Sequence, residues 1–288
     1  MTQSQPVDPA ADADRLADLA LAEDGIRDLT TEVTVPGDMQ ATARVEFRAT
    51  GIVAGIPYAD SVIRACGLKP MEWRAAEGQR LFASAVIGVL SGHLAAILRA
   101  ERPLLNMLQR ASGIASATRE YVTRIDGTRA KILHTRKTAP GLRLFDVRAV
   151  LAGGGHAHRL DLAHEVMVKD NHWRALENGG GSLTKALAES RKLGATRLHV
   201  EIESADQLRL ACEAGATRLL IDNQSPEVVQ AWVGVARRLS PGIELEASGG
   251  ITLSNVRAYA EAGADYLSIG ALTHSVKAAD VSLEVDGR

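Results

Sequence analysis

At 288 residues, with 46% apolar and 24% charged residues, the chain can bury a full core in one large or two medium domains and has the make-up of an ordinary soluble globular protein. A net charge of −2 gives no global pull towards nucleic acid or an anionic membrane, so any recognition of anions must come from a local cluster. Cys66 and Cys212 stand far apart without metal-ligand spacing, which argues against a disulfide framework or a zinc site and fits a reducing cytoplasm. The start of the chain carries Asp8, Asp12, Asp14 and Asp18 with no basic lead or apolar run, so it does not read as a secretory or transit segment, and no stretch is long and apolar enough to span a bilayer.

Residues 1 to about 14, rich in Ala, Asp and Pro, read as a frayed tail. The next segment, Asp14 to Glu23, sets Leu16, Leu19 and Ala20 on one helical face and is broken by Asp24-Gly25. From Ala41 to Val53 the text is strand-like, with Val45 and Phe47 alternating against Arg44, Glu46 and Arg48. Tyr58 to Cys66 reads as a helix closed by Gly67. Short strand pieces follow between Met71 and Leu90, punctuated by Gly78 and Gly88. No βα repeat occurs in this half, which points to an α+β arrangement. Gly92 to about Arg124 is the main helical segment, with Leu94, Ile97, Leu98, Leu104, Leu105 and Leu108 at helical spacing, and Pro103 and Gly113 are expected to split it. Arg110 on this segment is, by itself, a solvated surface charge.

After Ala130 the pattern becomes repetitive. Gly194-Ala-Thr-Arg-Leu-His-Val, Gly215-Ala-Thr-Arg-Leu-Leu-Ile and Gly263-Ala-Asp-Tyr-Leu-Ser-Ile each follow a helical segment, so each glycine reads as a helix C-cap leading into a buried strand. The first two glycines lie 21 residues apart and the next two 48, about two units, and Ile243 to Ala247 supplies the strand missing from the double gap. With the strands ending near Thr135 and Val168, at least six strands alternate with helices or long connections, the pattern of a parallel α/β barrel.

The carboxyl ends of barrel strands converge on one pocket. Arg136, Lys137, Lys169, Glu201, Asp222 and the turn Ser248-Gly249-Gly250 are therefore expected to face one another. The stretch Leu133 to Trp173 adds Arg143, Arg148, His156, His158 and Arg159 around three consecutive glycines, an anion-binding composition. The turns at Ser248 to Gly250 and Ser268-Ile269-Gly270 suit a phosphate held by backbone N–H groups. Glu201 and Asp222 could hold Mg²⁺ with substrate oxygens, stabilise a cationic sugar, or act as acid and base; the residues alone leave these open. His156-x-His158 lacks further ligands at zinc spacing, so a metal hydrolase is disfavoured.

Eight segments carry a more specific signal: Asn106-Met-Leu-Gln-Arg-Ala-Ser-Gly, Thr135-Arg-Lys-Thr-Ala-Pro-Gly-Leu-Arg, Gly153-Gly-Gly-His-Ala-His-Arg, Lys169-Asp-Asn-His, Val200-Glu-Ile-Glu, Ile221-Asp-Asn, Glu246-Ala-Ser-Gly-Gly-Ile and Ser268-Ile-Gly-Ala-Leu-Thr-His-Ser. In this order they resemble the motifs of the quinolinate phosphoribosyltransferases, also called nicotinate-nucleotide pyrophosphorylases (carboxylating), from about Glu23 to Leu283. Ala139 stands where the family commonly has a second Thr, and Val147-Arg148 where it often has Lys-Tyr. The resemblance implies an N-terminal α/β sandwich over residues 1–124 and an open, incomplete barrel over 125–275, with residues 276–288 packing on the first domain. It implies quinolinate on Arg136, His158, Arg159 and Lys169, with Arg110 supplied by a partner subunit. Phosphoribosyl pyrophosphate would meet Lys137, Glu201 and Asp222, and its 5′-phosphate Ser248, Gly249, Gly250, Ser268, Ile269 and Gly270; Thr135 is implied to bind substrate. Lys137, Glu201 and Asp222 are the implied catalytic groups, with Mg²⁺ at Glu201 and Asp222, directly or through substrate, in a homodimer or larger assembly.

The implied reaction transfers phosphoribose to quinolinate with loss of CO₂, giving nicotinate mononucleotide for NAD biosynthesis. Three other readings stand beside it: a paralogous pyrophosphorylase of the kind found with molybdate-transport genes, a barrel lyase or aldolase using Lys169 as a Schiff-base nucleophile, and a non-catalytic phosphate-binding protein.

Overall fold

The computed structural model describes residues 8–163 and 165–286, so the tail reading of residues 1–7 lies outside it. The chain forms two compact units, each taken here by itself. The first combines residues 8–119, 139–154 and 275–286; the second combines 120–138, 155–163 and 165–274.

The first unit is built on an antiparallel sheet of β1 (Gln40–Phe47), β3 (Glu72–Trp73), β5 (Ala85–His93) and β12 (Val281–Val285), in the order β12-β1-β5-β3. Alternation along β1 buries Ala43, Val45 and Phe47 completely, as a sheet with one solvated face requires. A two-stranded piece, β2 (Gly51–Ile52) with β4 (Arg80–Leu81), lies outside that sheet. The sheet packs with Ile63 of α3 (Ile56–Ala65) and with Ile97, Leu104 and Leu108 of α4 (Leu94–Arg124) in one core. The unit also contains α1 (Pro9–Glu23), α2 (Leu29–Thr34) and α5 (Arg143–Ala152).

Several expectations need correction here. α1 begins at Pro9, not Asp14, because Asp8 caps it by accepting the Ala10 N–H and Pro9 is pre-shaped for the first turn. Its buried face is Ala13, Leu16, Ala17 and Leu21, while Leu19 is about half exposed. The short helix α2, capped by Asp28 through the Thr31 N–H, had no strong periodic signal. Gly88 is not punctuation but an interior residue of β5, where a Cβ would stand 2.3 Å from the Met71 sulfur. Most clearly, α4 is continuous for 31 residues with Pro103 inside it. The hydrogen bond that proline removes is outweighed by burial of the neighbouring Leu104, Leu105 and Leu108. Gly113 does not break the helix either; it admits the C-terminal segment, since a Cβ there would lie 2.2 Å from the Lys277 carbonyl oxygen.

The second unit is a six-stranded parallel sheet: β6 (Lys131–Leu133), β7 (Val166–Val168), β8 (Leu198–Ile202), β9 (Arg218–Asp222), β10 (Glu244–Ser248) and β11 (Tyr266–Ser268), in the order β6-β11-β10-β9-β8-β7. The edge strands β6 and β7 do not pair, so the barrel is open. Helices α6 (Asp170–Asn178), α7 (Leu183–Lys192), α8 (Ala205–Glu213), α9 (Pro226–Leu239), α10 (Val256–Glu261) and α11 (Ala271–His274) fill the connections. Gly194, Gly215 and Gly263 follow α7, α8 and α10 with φ of +89°, +80° and +95°, the left-handed closures that the three repeats predict. No helix among the described residues is long and apolar enough to cross a membrane.

Two glycine-to-alanine changes inside helices should act in opposite directions. Gly234 in α9 has only ordinary space around it, so Gly234→Ala should gain up to about 1 kcal/mol of helix propensity. Gly113→Ala must displace a backbone and should lose about 1–3 kcal/mol despite the same propensity gain. Urea unfolding midpoints for the two variants measure both signs; an unchanged or raised midpoint for Gly113→Ala contradicts the packing account.

Candidate active site

Each strand of the second unit's sheet presents polar residues at or just beyond its carboxyl end. Thr135, Arg136 and Lys137 follow β6, Lys169 follows β7, and Glu201 lies near the end of β8 with Glu203 just after it; Asp222, Ser248 and Ser268 close β9, β10 and β11. His158 and Arg159 follow a parallel bridge between Leu133 and His156. All of these line one cavity of about 340 Å³, together with Met167, Asp170, Leu220 and Glu246. Of the residues nominated from sequence, Gly249, Gly250, Ile269, Gly270 and Arg110 do not line it.

Gly249 and Gly250 form the turn beside Ser248 at φ of +86° and +62°, and a Cβ on Gly249 would meet the Asn223 side chain at 2.1 Å. The Ile269 N–H is already given to the Leu133 carbonyl at 3.1 Å, so that amide is occupied by the sheet. A Cβ on Gly270 would sit 3.1 Å from Lys137 Cδ, so its absence lets the lysine stem pass close. Arg110 belongs to the first unit, where its Nε and Nη2 donate to the two oxygens of buried Asp146 at 2.9 and 2.8 Å. Asp146 also accepts the Ala139 N–H at 3.2 Å.

One side of the cavity is cationic. Arg136 has a buried Nε with no hydrogen-bond partner. Arg159 is buried, and its Nη1 reaches only the Glu165 carbonyl at 3.4 Å. Burial, then the neighbouring Arg136 charge, push the Arg159 guanidinium below its ordinary pKa. Like charges held together out of water are costly unless an anion joins them.

The same cavity holds an acidic cluster. Carboxylate oxygens of Glu201, Glu203 and Asp222 lie within 4.8 Å of one another. Burial raises the Asp222 pKa and the Glu203 charge adds to it, against the Asn223 hydrogen bond and the charges of Lys169 and Lys137. Lys169 Nζ lies 3.4 Å from Glu201 Oε2. Three oxygen donors of this kind fit a hard cation such as Mg²⁺.

Sequence reasoning missed Glu203 and Glu246. Both lie two residues from nominated positions, Glu201 and Ser248, and the two-residue period of a strand puts i and i+2 on the same face. That period was the available signal.

Matches to known proteins agree with this geometry. Residues 28–112 match the N-terminal domain of quinolinate phosphoribosyl transferase, and residues 114–284 match its C-terminal domain. The chain belongs to the quinolinate phosphoribosyltransferase family. A family relative from Bacillus subtilis (strain 168), named probable nicotinate-nucleotide pyrophosphorylase [carboxylating], is 39% identical over 275 residues, covering 92% of this chain and 90% of that protein. One from Mycobacterium leprae (strain TN), named nicotinate-nucleotide pyrophosphorylase [carboxylating], is 38% identical over 266 residues, covering 90% and 91%. The solved nicotinate-nucleotide pyrophosphorylase of Francisella tularensis superimposes with a TM-score of 0.90 at 35% identity, covering 99% of this chain and all of that one. The open α/β barrel expected for the family is the architecture found.

The acidic cluster gives a test with a definite sign. A folded-state pKa above the ordinary Asp value means that Asp222 contributes stability below its unfolded pKa and loses it as pH rises through the folded value. Glu203→Gln removes one cause of that shift. Without divalent cations, its melting temperature should exceed that of the unsubstituted protein by a margin that widens as pH rises from the ordinary Asp pKa through the raised Asp222 value and is constant above it. A margin that narrows over the same range contradicts the repulsion.

Proposed function

We propose that the protein transfers phosphoribose from phosphoribosyl pyrophosphate to quinolinate and releases pyrophosphate and CO₂, forming nicotinate mononucleotide. The observation that carries this reading is the pair Arg136 and Arg159: two guanidiniums, one with a buried donor lacking an acceptor, in the cavity that also holds a cluster of carboxylates. A dianion fits the guanidiniums and a cation-bound sugar polyphosphate the carboxylates.

In this reading Arg136, His158, Arg159 and Lys169 hold the two carboxylates of quinolinate and aim its ring nitrogen at C1′ of the ribose. Thr135 and Lys137 meet the pyrophosphate, which departs with the electron pair of the C1′–O bond. Glu201 and Asp222 stabilise the electron-poor sugar as the ring nitrogen donates its pair to C1′. Glu201, Glu203 and Asp222 would hold Mg²⁺, which neutralises the leaving pyrophosphate when bound. Ser248, Gly249, Gly250 and the turn Ser268 to Gly270 support the 5′-phosphate. The ring nitrogen is now cationic, so the bond from the adjacent carbon to its carboxylate can break with the pair left on that carbon, which then takes a proton.

The protein works, in this account, as a cytoplasmic homodimer in which Arg110, oriented by Asp146, completes the partner's quinolinate site. No observation favours the molybdate-type acceptor, and Lys169 is engaged with Glu201 rather than placed for Schiff-base chemistry.

Nicotinate mononucleotide, measured chromatographically after incubation with quinolinate, phosphoribosyl pyrophosphate and Mg²⁺, tests the assignment. Nicotinate lacks the carboxylate beside the ring nitrogen and would leave a buried cation unpaired, at a cost of about 3–5 kcal/mol. It should be a worse substrate by a factor of at least about a hundred, since ~1.4 kcal/mol is tenfold. Equal turnover of the two acids contradicts the assignment.

Sharing of the site between subunits predicts complementation. Arg110→Ala and Lys169→Ala homodimers should each be nearly inactive, while mixed dimers contain one intact pocket under two-fold symmetry. Refolding the variants together should restore about a quarter of the unsubstituted activity in a statistical mixture. No recovery, with mixed dimers verified by mass spectrometry, means that Arg110 serves its own chain or only the fold.

A further inference from the structure

Glu246 lies at the centre of β10, with its side chain 1% exposed on the floor of the cavity. Its Oε1 accepts from Ser268 Oγ at 2.5 Å and lies 3.2 Å from His158 Nε2, and its Oε2 accepts from Arg218 Nη1 at 3.2 Å. The His158 Nδ1 already accepts the Arg159 N–H at 2.7 Å. The proton of the neutral ring is therefore on Nε2 and points at Glu246. The His158 main chain is fixed as well, its N–H donating to His134 Nε2 at 2.9 Å. Arg218 also donates from Nε and Nη2 to Glu244 Oε2 at 2.9 and 2.7 Å, and its guanidinium lies 4.0 Å above the Tyr266 ring.

We propose that Glu246 is the positioning residue of the quinolinate subsite: by accepting from His158, Ser268 and Arg218 together, it fixes the His158 imidazole and, through Nδ1, the main chain from which Arg159 enters the cavity. The proposal rests on the quinolinate reading given above. Burial alone would raise the Glu246 carboxyl; the hydrogen bond from His158, the Ser268 hydroxyl and the positive charge around it, Arg218 included, override burial and lower the pKa, so both oxygens are acceptors. His158, His199 and Glu246 also lie within metal-ligand reach of one another, but a cation there would have to displace the Arg218 guanidinium from Oε2 and sit beside its charge.

The geometry explains why the isosteric amide cannot substitute. His158 in this tautomer and Arg218 can only donate, one to each oxygen, while the Ser268 hydroxyl can turn. In Glu246→Gln the amide nitrogen therefore faces a donor whichever way the amide is placed. If it faces His158, the ring must leave Glu246's position or move its proton to Nδ1 against the Arg159 N–H.

The test compares Glu246→Gln with the unsubstituted protein, using calorimetry of quinolinate binding, steady-state kinetics and ¹⁵N spectra of the histidine rings. Expected are a quinolinate affinity weakened at least tenfold, a KM for phosphoribosyl pyrophosphate within threefold, and loss of the Nε2–H signature of His158. Glu246→Asp keeps the charge but is one methylene too short for all three partners, and should show the same split at smaller size; it serves if the amide variant does not fold. If the unsubstituted protein binds quinolinate and a folded variant binds it within twofold with the His158 signal unchanged, the positioning role is overturned and the substrate reading stands. If the unsubstituted protein does not bind quinolinate, the substrate reading falls and the proposal with it.

Discussion

A carboxylate that must stay ionised inside a parallel sheet ties the second unit together. Glu246 accepts from residues after β6, on β9 and on β11, so strands far apart in sequence are pinned at one depth. The interior of such a barrel is ordinarily filled with branched apolar side chains; here Arg218, Glu246 and His199 take those positions. Breaking a buried pair of this kind costs about 3–5 kcal/mol, so the floor has one low-energy arrangement. His199 adds no charge to it, because burial and the Arg218 charge lower its pKa to about 4.

With Glu246 on the floor already committed to His158, Ser268 and Arg218, the cavity above it holds both Arg136 and Arg159 and the cluster Glu201, Glu203 and Asp222. The Arg136 Nε has no acceptor, and Lys169, 3.4 Å from Glu201, is one cation beside three clustered carboxylates. That is the electrostatic form of holding a dicarboxylate beside a cation-bound polyphosphate, and the positioned ring nitrogen does the rest of the chemistry as its own electron sink.

Much of this was legible in the sequence because it depends on strict periods. The three glycine-led repeats mark helix ends where only a left-handed residue fits, and they locate β8, β9 and β11; the residues that follow the strands then had to converge. What depends on packing was not legible. Pro103 and Gly113 carry breaker signals locally, yet α4 continues through both, one held by buried leucines and the other required by a passing backbone. The strand period puts Glu246 on the face of Ser248, but the three buried donors that it meets, His158, Ser268 and Arg218, come from segments that no period links to it. The pairing of Arg110 with Asp146 was invisible for the same reason: the two are 36 residues apart and no periodicity links them.

In the proposed reaction decarboxylation follows from making the ring nitrogen cationic, so CO₂ loss must be coupled to glycosyl transfer. Quinolinate labelled with ¹³C in the carboxylate adjacent to nitrogen reports this directly. With phosphoribosyl pyrophosphate and Mg²⁺ present, labelled CO₂, pyrophosphate and nicotinate mononucleotide should appear in equal amounts, and no labelled CO₂ should form when phosphoribosyl pyrophosphate is left out. Labelled CO₂ released without the sugar donor, or pyrophosphate released without CO₂, would contradict the account.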